Sequence, residues 1–458
     1  MRTNIQKLLR LFITGFLLVI LTLTNLTVFQ RDKLMASPYN KHRICGWDSQ
    51  SRRGGIYDRH GEVLAVTEKK GGLRRYPLGD TLAPVIGYID AKIGAAGLEA
   101  RYSAELSGRP PFWAALGLNF PLALAGEDLV LTISTELQQE AMRYLAGRRG
   151  AAVVLDPRSG AVLALASQPS FDPVHLAAKW ENVRQDSAAP LLNRATQGLY
   201  PPGSTLKLVT LAAALTRRTD LVNKVYHCSG KLALPGYTIH CSQPHGELDL
   251  ASALSVSCNV TFAQLGIELG NGSLAKQAER ARFNRNIPFE LPLGVSSFPP
   301  GKAGEGETAQ RAIGQGQVLA TPMQMALVTA GIAGGGVIWR PYLVQERHLG
   351  GRIIARTQPE KLAQFVSPEV AAAITNIMTE VTKRGTGTGA ALSGVEVAGK
   401  TGTAENPHGA AHAWYVGFAP ADKPKVAVAV VVENAGSGAA AALPLARRLL
   451  ELALKEVS

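Results

Sequence analysis

Several familiar signatures are missing from this 458-residue chain. No basic run is interleaved with aromatic residues, which argues against a nucleic-acid-binding surface. No internal repeat or long low-complexity segment is visible, so solenoid and fibrous architectures drop out. Cysteine is scarce, with four residues (Cys45, Cys228, Cys241 and Cys258), too few for a disulfide-built scaffold. Charged residues make up only 18% against 46% hydrophobic, the balance of a globular chain and not a disordered one. At this length, two or three domains are expected.

The charge that is present leans one way: 48 basic minus 35 acidic residues gives +13, with a pI near 9.6. With nucleic acid set aside, an anionic membrane surface or an acidic polymer suits that balance. The N-terminus points to the membrane. Between Arg10 and Arg31 runs "LFITGFLLVILTLTNLTVFQ", uncharged and long enough for one helical crossing. Arg2, Lys7 and Arg10 before it favour a cytoplasmic N-terminus. A cleaved signal peptide is the alternative, but the segment is long for one and no A-x-A-like site follows, "LMAS" at 34–37 being the nearest. The segment is read as an uncleaved anchor. Arg31, Lys33, Lys41 and Arg43 lie just beyond it, so orientation rests partly on where the rest of the chain must work.

Cys228 and Cys241 lie in the loop "HCSGKLALPGYTIHC". In an oxidising compartment a disulfide there would close a short loop and stabilise by about 3 kcal/mol. His227 and His240 precede the two cysteines and His245 follows, which makes zinc the rival, although the spacing is not that of a standard finger. Disulfide, free thiols and zinc all remain open; the disulfide is the working expectation, with no metal and no cofactor.

After the anchor, residues 31–132 alternate short apolar runs with glycine and charge, and "DRHG" between Ile56-Tyr57 and "EVLAV" predicts a hairpin in a small β-rich module. Residues 133–458 open with the helix "STELQQEAMRYLAG", capped by Ser134 or Thr135. "GAAVVLDPRSGAVLALAS" then predicts two strands joined by a turn. Near the C-terminus, "AWYVGFAP" and "KVAVAVVVE" predict two more strands and "ALPLARRLLELALKEV" an amphipathic closing helix. The middle, about 175 to 390, reads as helices and loops. Strands at both ends with helices between imply an α+β fold whose antiparallel sheet is assembled from distant parts of the chain.

Three short motifs carry chemistry. In "YPPGSTLKLVT", Ser204 and Lys207 stand at i and i+3 at a helix start, sharing a face about 5–6 Å apart at Cβ. A buried, neutral lysine there would accept the hydroxyl proton. The plain alternative is a serine cap and a solvated lysine, and Ser273 to Lys276 is a second S-x-x-K. "SVSCNVTF" supplies Ser257, able to relay a proton, and Asn259, able to hold a substrate amide. "VAGKTGTAENP" places Lys400, Thr401, Gly402 and Thr403 on a strand edge, where a carboxylate would meet a cation and hydroxyls, and Gly402 permits close backbone approach. S-x-x-K, a serine-asparagine motif and K-T-G in that order form a known set.

With these motifs the chain resembles the penicillin-binding proteins, and most closely their class B of monofunctional D,D-transpeptidases. "RGGIYDRHGEVLA" and "GLEARYSAELSG" are similar to the family's pedestal motifs. "VVLDPRSGAVLALASQPSFDP", "NRATQGLYPPGSTLK", "AIGQGQVLATPMQMA", "KTGTAE" and "HAWYVGFAP" are similar to successive stretches of its catalytic domain. Leu206 stands where phenylalanine is commoner. The resemblance implies a five-stranded antiparallel sheet with flanking helices and a helical lobe, behind a dimerisation-like pedestal and one transmembrane helix. It makes Ser204 the nucleophile toward D-Ala-D-Ala stem peptides, Lys207 the base, Ser257 the proton relay and Asn259 the donor-peptide contact. Lys400, Thr401 and Thr403 would bind the terminal carboxylate, with the N–H groups of Ser204 and Thr403 as oxyanion hole. It further implies acylation by β-lactams, an extracytoplasmic catalytic domain, and a polytopic glycosyltransferase partner of the shape, elongation, division and sporulation type. Residues 31–132 are too short for the glycosyltransferase of bifunctional class A enzymes, and the compact penicillin-binding protein A type is the nearest likeness.

A membrane-tethered β-lactamase or D,D-carboxypeptidase shares the acylation half of this chemistry, but no E-x-x-L-N motif for a deacylating water lies between Asn259 and Lys400. A non-enzymatic sensor or scaffold is the other alternative, and the complete motif set argues against it.

Overall fold

The structure, a computed structural model, describes residues 2–26, 30, 53–68, 72–108, 125–217, 224–407 and 409–456. Cys45, the basic residues at 31, 33, 41 and 43, and "LMAS" lie outside them. Helix α1 (Arg2–Thr24) contains one segment long and apolar enough to cross a membrane, Asn4–Thr24, of 21 residues. At 1.5 Å per residue it spans about 31 Å, close to the hydrocarbon thickness of a bilayer. Its apolar side chains, Leu11, Phe12 and Phe16 among them, are uncovered by protein.

Strands β1 (Ile56–Tyr57) and β2 (Val63–Ala65) form the expected hairpin. The buried Asp58 carboxylate holds its turn, accepting from the N–H groups of His60 and Glu62 at 2.8 Å each. The two stretches similar to pedestal motifs meet at a buried ion pair, in which Glu99 takes Arg53 Nε on one oxygen and Arg74 Nε on the other, both at 2.7 Å. Strand β3 (Asp128–Leu131) runs parallel to β1.

Helix α2 (Thr135–Leu145) is capped by Ser134, whose Oγ accepts from the Leu137 N–H at 3.3 Å. Strands β4 (Gly150–Leu155) and β5 (Val162–Gln168) are the second expected hairpin. The helical lobe that follows includes α3 (Lys207–Arg217), α4 (Asn259–Leu269) and α5 (Pro322–Ala333). Then come β6 (Val344–Leu349), β7 (Arg352–Arg356), α6 (Pro368–Arg384), β8 (Ala398–Ala404), β9 (His412–Ala419), β10 (Val426–Val432) and α7 (Leu443–Glu456).

The main sheet is antiparallel throughout, in the order β8-β9-β10-β4-β5. Period-two alternation gives it two apolar faces. Val426, Val428, Val430 and Val432 pack with α2 and α7, while Ala427, Ala429 and Val431 face the lobe. Small alanines on the lobe side let α5 lie close against β10, and every residue of α5 from Pro322 to Ile332 is buried, with the polar Gln324 and Thr329 hydrogen-bonded to backbone carbonyls.

The middle of the chain is more than helices and loops. Residues 226–248 carry short antiparallel strand pairs, and β6 and β7 return to the small sheet, which reads β7-β6-β3-β1-β2. "VQERHL" at 344–349 is mostly polar and hides its strand. The Gly350-Gly351 turn between them, with φ of 57° and 77°, is the local cue that marks the hairpin.

Candidate active site

Ser204 sits in the 3₁₀ turn Gly203–Leu206, which runs directly into α3 at Lys207. Two bonds from the sheet fix the chain before it. Trp414 Nε1 on β9 donates to the Pro201 carbonyl at 3.0 Å. The Tyr200 hydroxyl donates to Glu433 at 2.7 Å, and the buried Arg194 holds that same carboxylate at 2.8 Å. Gly203 takes φ 53°, and a Cβ there would stand 2.7 Å from the Thr403 carbonyl oxygen. A Cβ at Gly314 would stand 2.2 Å from the Gly203 carbonyl oxygen. Glycine at these positions lets the Ser204 turn lie against β8, the edge strand that carries Lys400 to Thr403.

Lys207 and Lys400 are fully buried. Lys207 Nζ donates to the Ser257 carbonyl and to Asn259 Oδ1, both at 2.7 Å, and lies 3.3 Å from Ser257 Oγ. Lys400 Nζ lies 2.8 Å from the same Ser257 Oγ and 2.8 Å from the Thr401 carbonyl. Burial lowers the Lys207 ammonium to about 7, against an opposing pull from the nearby Cys258 and Cys241. Burial, and then the Lys207 charge, push Lys400 well below its ordinary value. Two ammonium groups in one dry site repel, so the pair favours a single charge.

Ser204, Ser257, Asn259, Thr401 and Thr403 line one cleft of about 790 Å³. The three motifs therefore converge, with the two lysines beneath the floor. Among the described residues Lys207 Nζ bonds to Ser257 and Asn259 and not to Ser204 Oγ; such contacts often tighten only with substrate bound. The second S-x-x-K is excluded: Ser273 accepts from Arg217 at 2.8 Å and Lys276 is exposed to solvent, outside the cleft.

Thr386 went unnoticed in the sequence. It lines the cleft, and its hydroxyl lies 2.6 Å from the Thr401 hydroxyl. Its only local signal is the glycine-flanked run "RGTGTG". The expected Cys228–Cys241 disulfide is absent here. The sulfurs are 3.7 Å apart where a bond needs about 2.05 Å, and Cys228, Cys241 and Cys258 are free. Cys241 lies just as near to Cys258, at 3.6 Å.

Comparison with known proteins gives matches over nearly the whole chain. The penicillin binding protein transpeptidase domain matches residues 150–451, and the penicillin binding protein A dimerisation domain matches residues 53–117. The chain is 35% identical over 500 residues to the peptidoglycan D,D-transpeptidase PbpA of Mycolicibacterium smegmatis, covering 98% of this chain and 99% of the relative. The ceftriaxone acyl-enzyme of penicillin-binding protein A from M. tuberculosis is similar in fold, with a TM-score of 0.83 and 33% identity over 89% of this chain and 99% of that one. The D,D-transpeptidase domain of a peptidoglycan glycosyltransferase from Eggerthella lenta matches with a TM-score of 0.81 and 36% identity, over 89% and 100%.

Proposed function

The chain belongs to the class B penicillin-binding proteins, serine D,D-transpeptidases that cross-link peptidoglycan, and from that premise we propose that Ser204 is its nucleophile and Lys207 its base. The observation that carries the assignment is that Ser257 Oγ lies within hydrogen-bond distance of two buried lysines beneath the floor of the cleft that Ser204 lines.

The geometry supports the following sequence of events. A stem peptide enters along β8 with its terminal carboxylate on Thr401, Thr403 and Lys400. That negative charge favours the charged form of Lys400, and repulsion between the lysines then favours neutral Lys207. Neutral Lys207 takes the Ser204 proton as Oγ attacks the penultimate D-alanine carbonyl. The oxyanion is held by the N–H groups of Ser204 and Thr403. The proton passes through Ser257 to the departing D-alanine amine. Asn259 Nδ2 donates to the His240 carbonyl at 2.9 Å while its Oδ1 holds Lys207; the remaining amide hydrogen is available to the donor peptide. An amine of a neighbouring stem peptide then resolves the acyl-enzyme into a cross-link.

The same reading divides the chain into an anchor (1–30), a pedestal (31–132) and a catalytic domain (133–458), with β6 and β7 returning to the pedestal sheet. The apolar α1 and the three basic residues before its core support a single-pass anchor with the catalytic domain outside the cytoplasm. Anchor and pedestal are then the docking site for a polytopic glycosyltransferase. Labelling with a fluorescent penicillin tests the core of the reading. Wild type should form an adduct that persists for many minutes and Ser204→Ala none. Rapid turnover of the drug would indicate a hydrolase instead.

A further inference from the structure

Cys228, Cys241, His245 and Cys258 bring their four donor atoms within 4.8 Å of one another. The chemistry proposed above uses none of them. Three edges of the cluster are 3.7 Å for Cys228 Sγ to Cys241 Sγ, 3.6 Å for Cys241 Sγ to Cys258 Sγ, and 3.5 Å for Cys228 Sγ to His245 Nδ1. A tetrahedral zinc centre has bonds of about 2.3 Å to sulfur and about 2.0–2.1 Å to imidazole nitrogen, so its S···S edges are about 3.8 Å and its S···N edges about 3.5 Å. The three edges match that figure. A disulfide would use two sulfurs and strand the third, although Cys241 stands equally close to both others.

Hydrogen-bond donors face two of the sulfurs. Cys241 Sγ accepts from the N–H groups of Asn259 at 3.2 Å and Val260 at 3.4 Å. Cys258 Sγ accepts from the Thr261 N–H at 3.4 Å and the Thr261 hydroxyl at 3.2 Å. Three of these donors are backbone groups of the first turn of α4, whose dipole favours negative charge. Cys228 and Cys258 are buried, while Cys241 and His245 line the catalytic cleft and give an ion a way in.

We propose that Cys228, Cys241, Cys258 and His245 Nδ1 bind one Zn²⁺ tetrahedrally, fastening the 226–248 segment to the turn that presents Ser257 and Asn259. On binding, three S–H protons leave to solvent as three S–Zn bonds form, and the neutral imidazole supplies the fourth bond. Three soft sulfurs and one imidazole select zinc over magnesium or calcium. The consequence for catalysis is positional. Cys258 lies between Ser257 and Asn259, both partners of Lys207, and Asn259 also bonds to the carbonyl of His240, the neighbour of Cys241. An ion on Cys241 and Cys258 therefore pins both sides of the second motif.

Elemental analysis of the purified full-length protein is expected to give one zinc per chain. Cobalt exchanged into the site should show thiolate-to-metal charge transfer and tetrahedral ligand-field bands. His245→Ala and Cys228→Ser, checked for folding by circular dichroism, should lose the metal. Removing zinc with a chelator should slow penicillin acylation about 10-fold or more, with recovery on adding zinc back. Folded variants that still hold one zinc would overturn the ligand assignment. Metal-free protein with a Cys228–Cys241 bridge, shown by two fewer titratable thiols after denaturation, would overturn the site, and unchanged acylation after chelation would overturn its positional role. Penicillin labelling of metal-free protein separates this inference from the transpeptidase reading, because each can then fail alone.

Discussion

Ser257 Oγ lies 2.8 Å from Lys400 Nζ, and the residue reaches that contact from a left-handed backbone with φ 57°. A side chain held in that region costs of order 1–3 kcal/mol, which the surrounding bonds to Lys207 and Lys400 must offset. The hydroxyl has one proton and two lysine neighbours, so it can accept from one and donate to the other, which is what a relay requires. Ser257→Ala and Ser257→Gly both remove the hydroxyl and should slow penicillin acylation by about 10²–10⁴-fold. Glycine also relieves the backbone, so S257G should be no less stable than S257A in thermal unfolding. Normal acylation by either variant would remove Ser257 from the relay.

With Lys207 as the proposed base, the pH dependence follows its titration. Burial lowers its ammonium to about 7. Below that value the amine carries a proton and cannot accept one from Ser204; above it the lone pair is free. The second-order rate of penicillin acylation should rise with pH through about 7 and then level off. Stopped-flow measurement across that range checks this, and a flat profile would mean that another group takes the proton. Lys207→Arg, whose guanidinium stays charged, should be inactive at every pH.

Gly203→Ala tests how tightly the nucleophile turn lies against β8. The new Cβ would stand 2.7 Å from the Thr403 carbonyl oxygen at a φ of 53°. Backbone cannot yield as a flexible side chain would, so the turn must shift. A displacement of about 1 Å costs on the order of 10²-fold in rate, and acylation should fall by that much. Gly147→Ala is the control: its φ of 73° is equally unfavourable, but nothing lies within 4 Å of the added carbon. It should lose some stability and no acylation rate.

The order of the motifs and the β-branched and aliphatic runs of β4, β5, β9 and β10 made the candidate serine and the main sheet legible in sequence, because both are local patterns. Contacts between distant residues were not legible. Tyr200 and Glu433 are joined only by the fold, and nothing around either residue announces the bond. Thr386 meets Thr401 because α6 packs beside β8. The cysteines show the same limit. Spacing singled out Cys228 and Cys241, whereas Cys258, embedded in the second motif, proves equally near to Cys241.

The pedestal offers a test independent of the cleft. Glu99 is fully buried between Arg53 and Arg74, and Arg53 Nη2 also donates to the Glu99 carbonyl at 2.8 Å. Burial alone would raise the Glu99 carboxyl, but the two guanidinium groups outweigh it and hold it below its ordinary value. A depressed carboxyl contributes stability that is present above its unfolded pKa and lost as pH falls through the folded one, so this contribution is intact at neutral pH. Glu99→Gln keeps the shape and removes the carboxylate charge that both guanidinium groups face. Breaking a buried pair in this way costs about 3–5 kcal/mol. The thermal unfolding of the variant should move down clearly, while penicillin labelling in the cold should persist because Ser204 and its lysines are untouched. An unchanged unfolding temperature would show that water reaches the pair and that the two motifs are held together by packing alone.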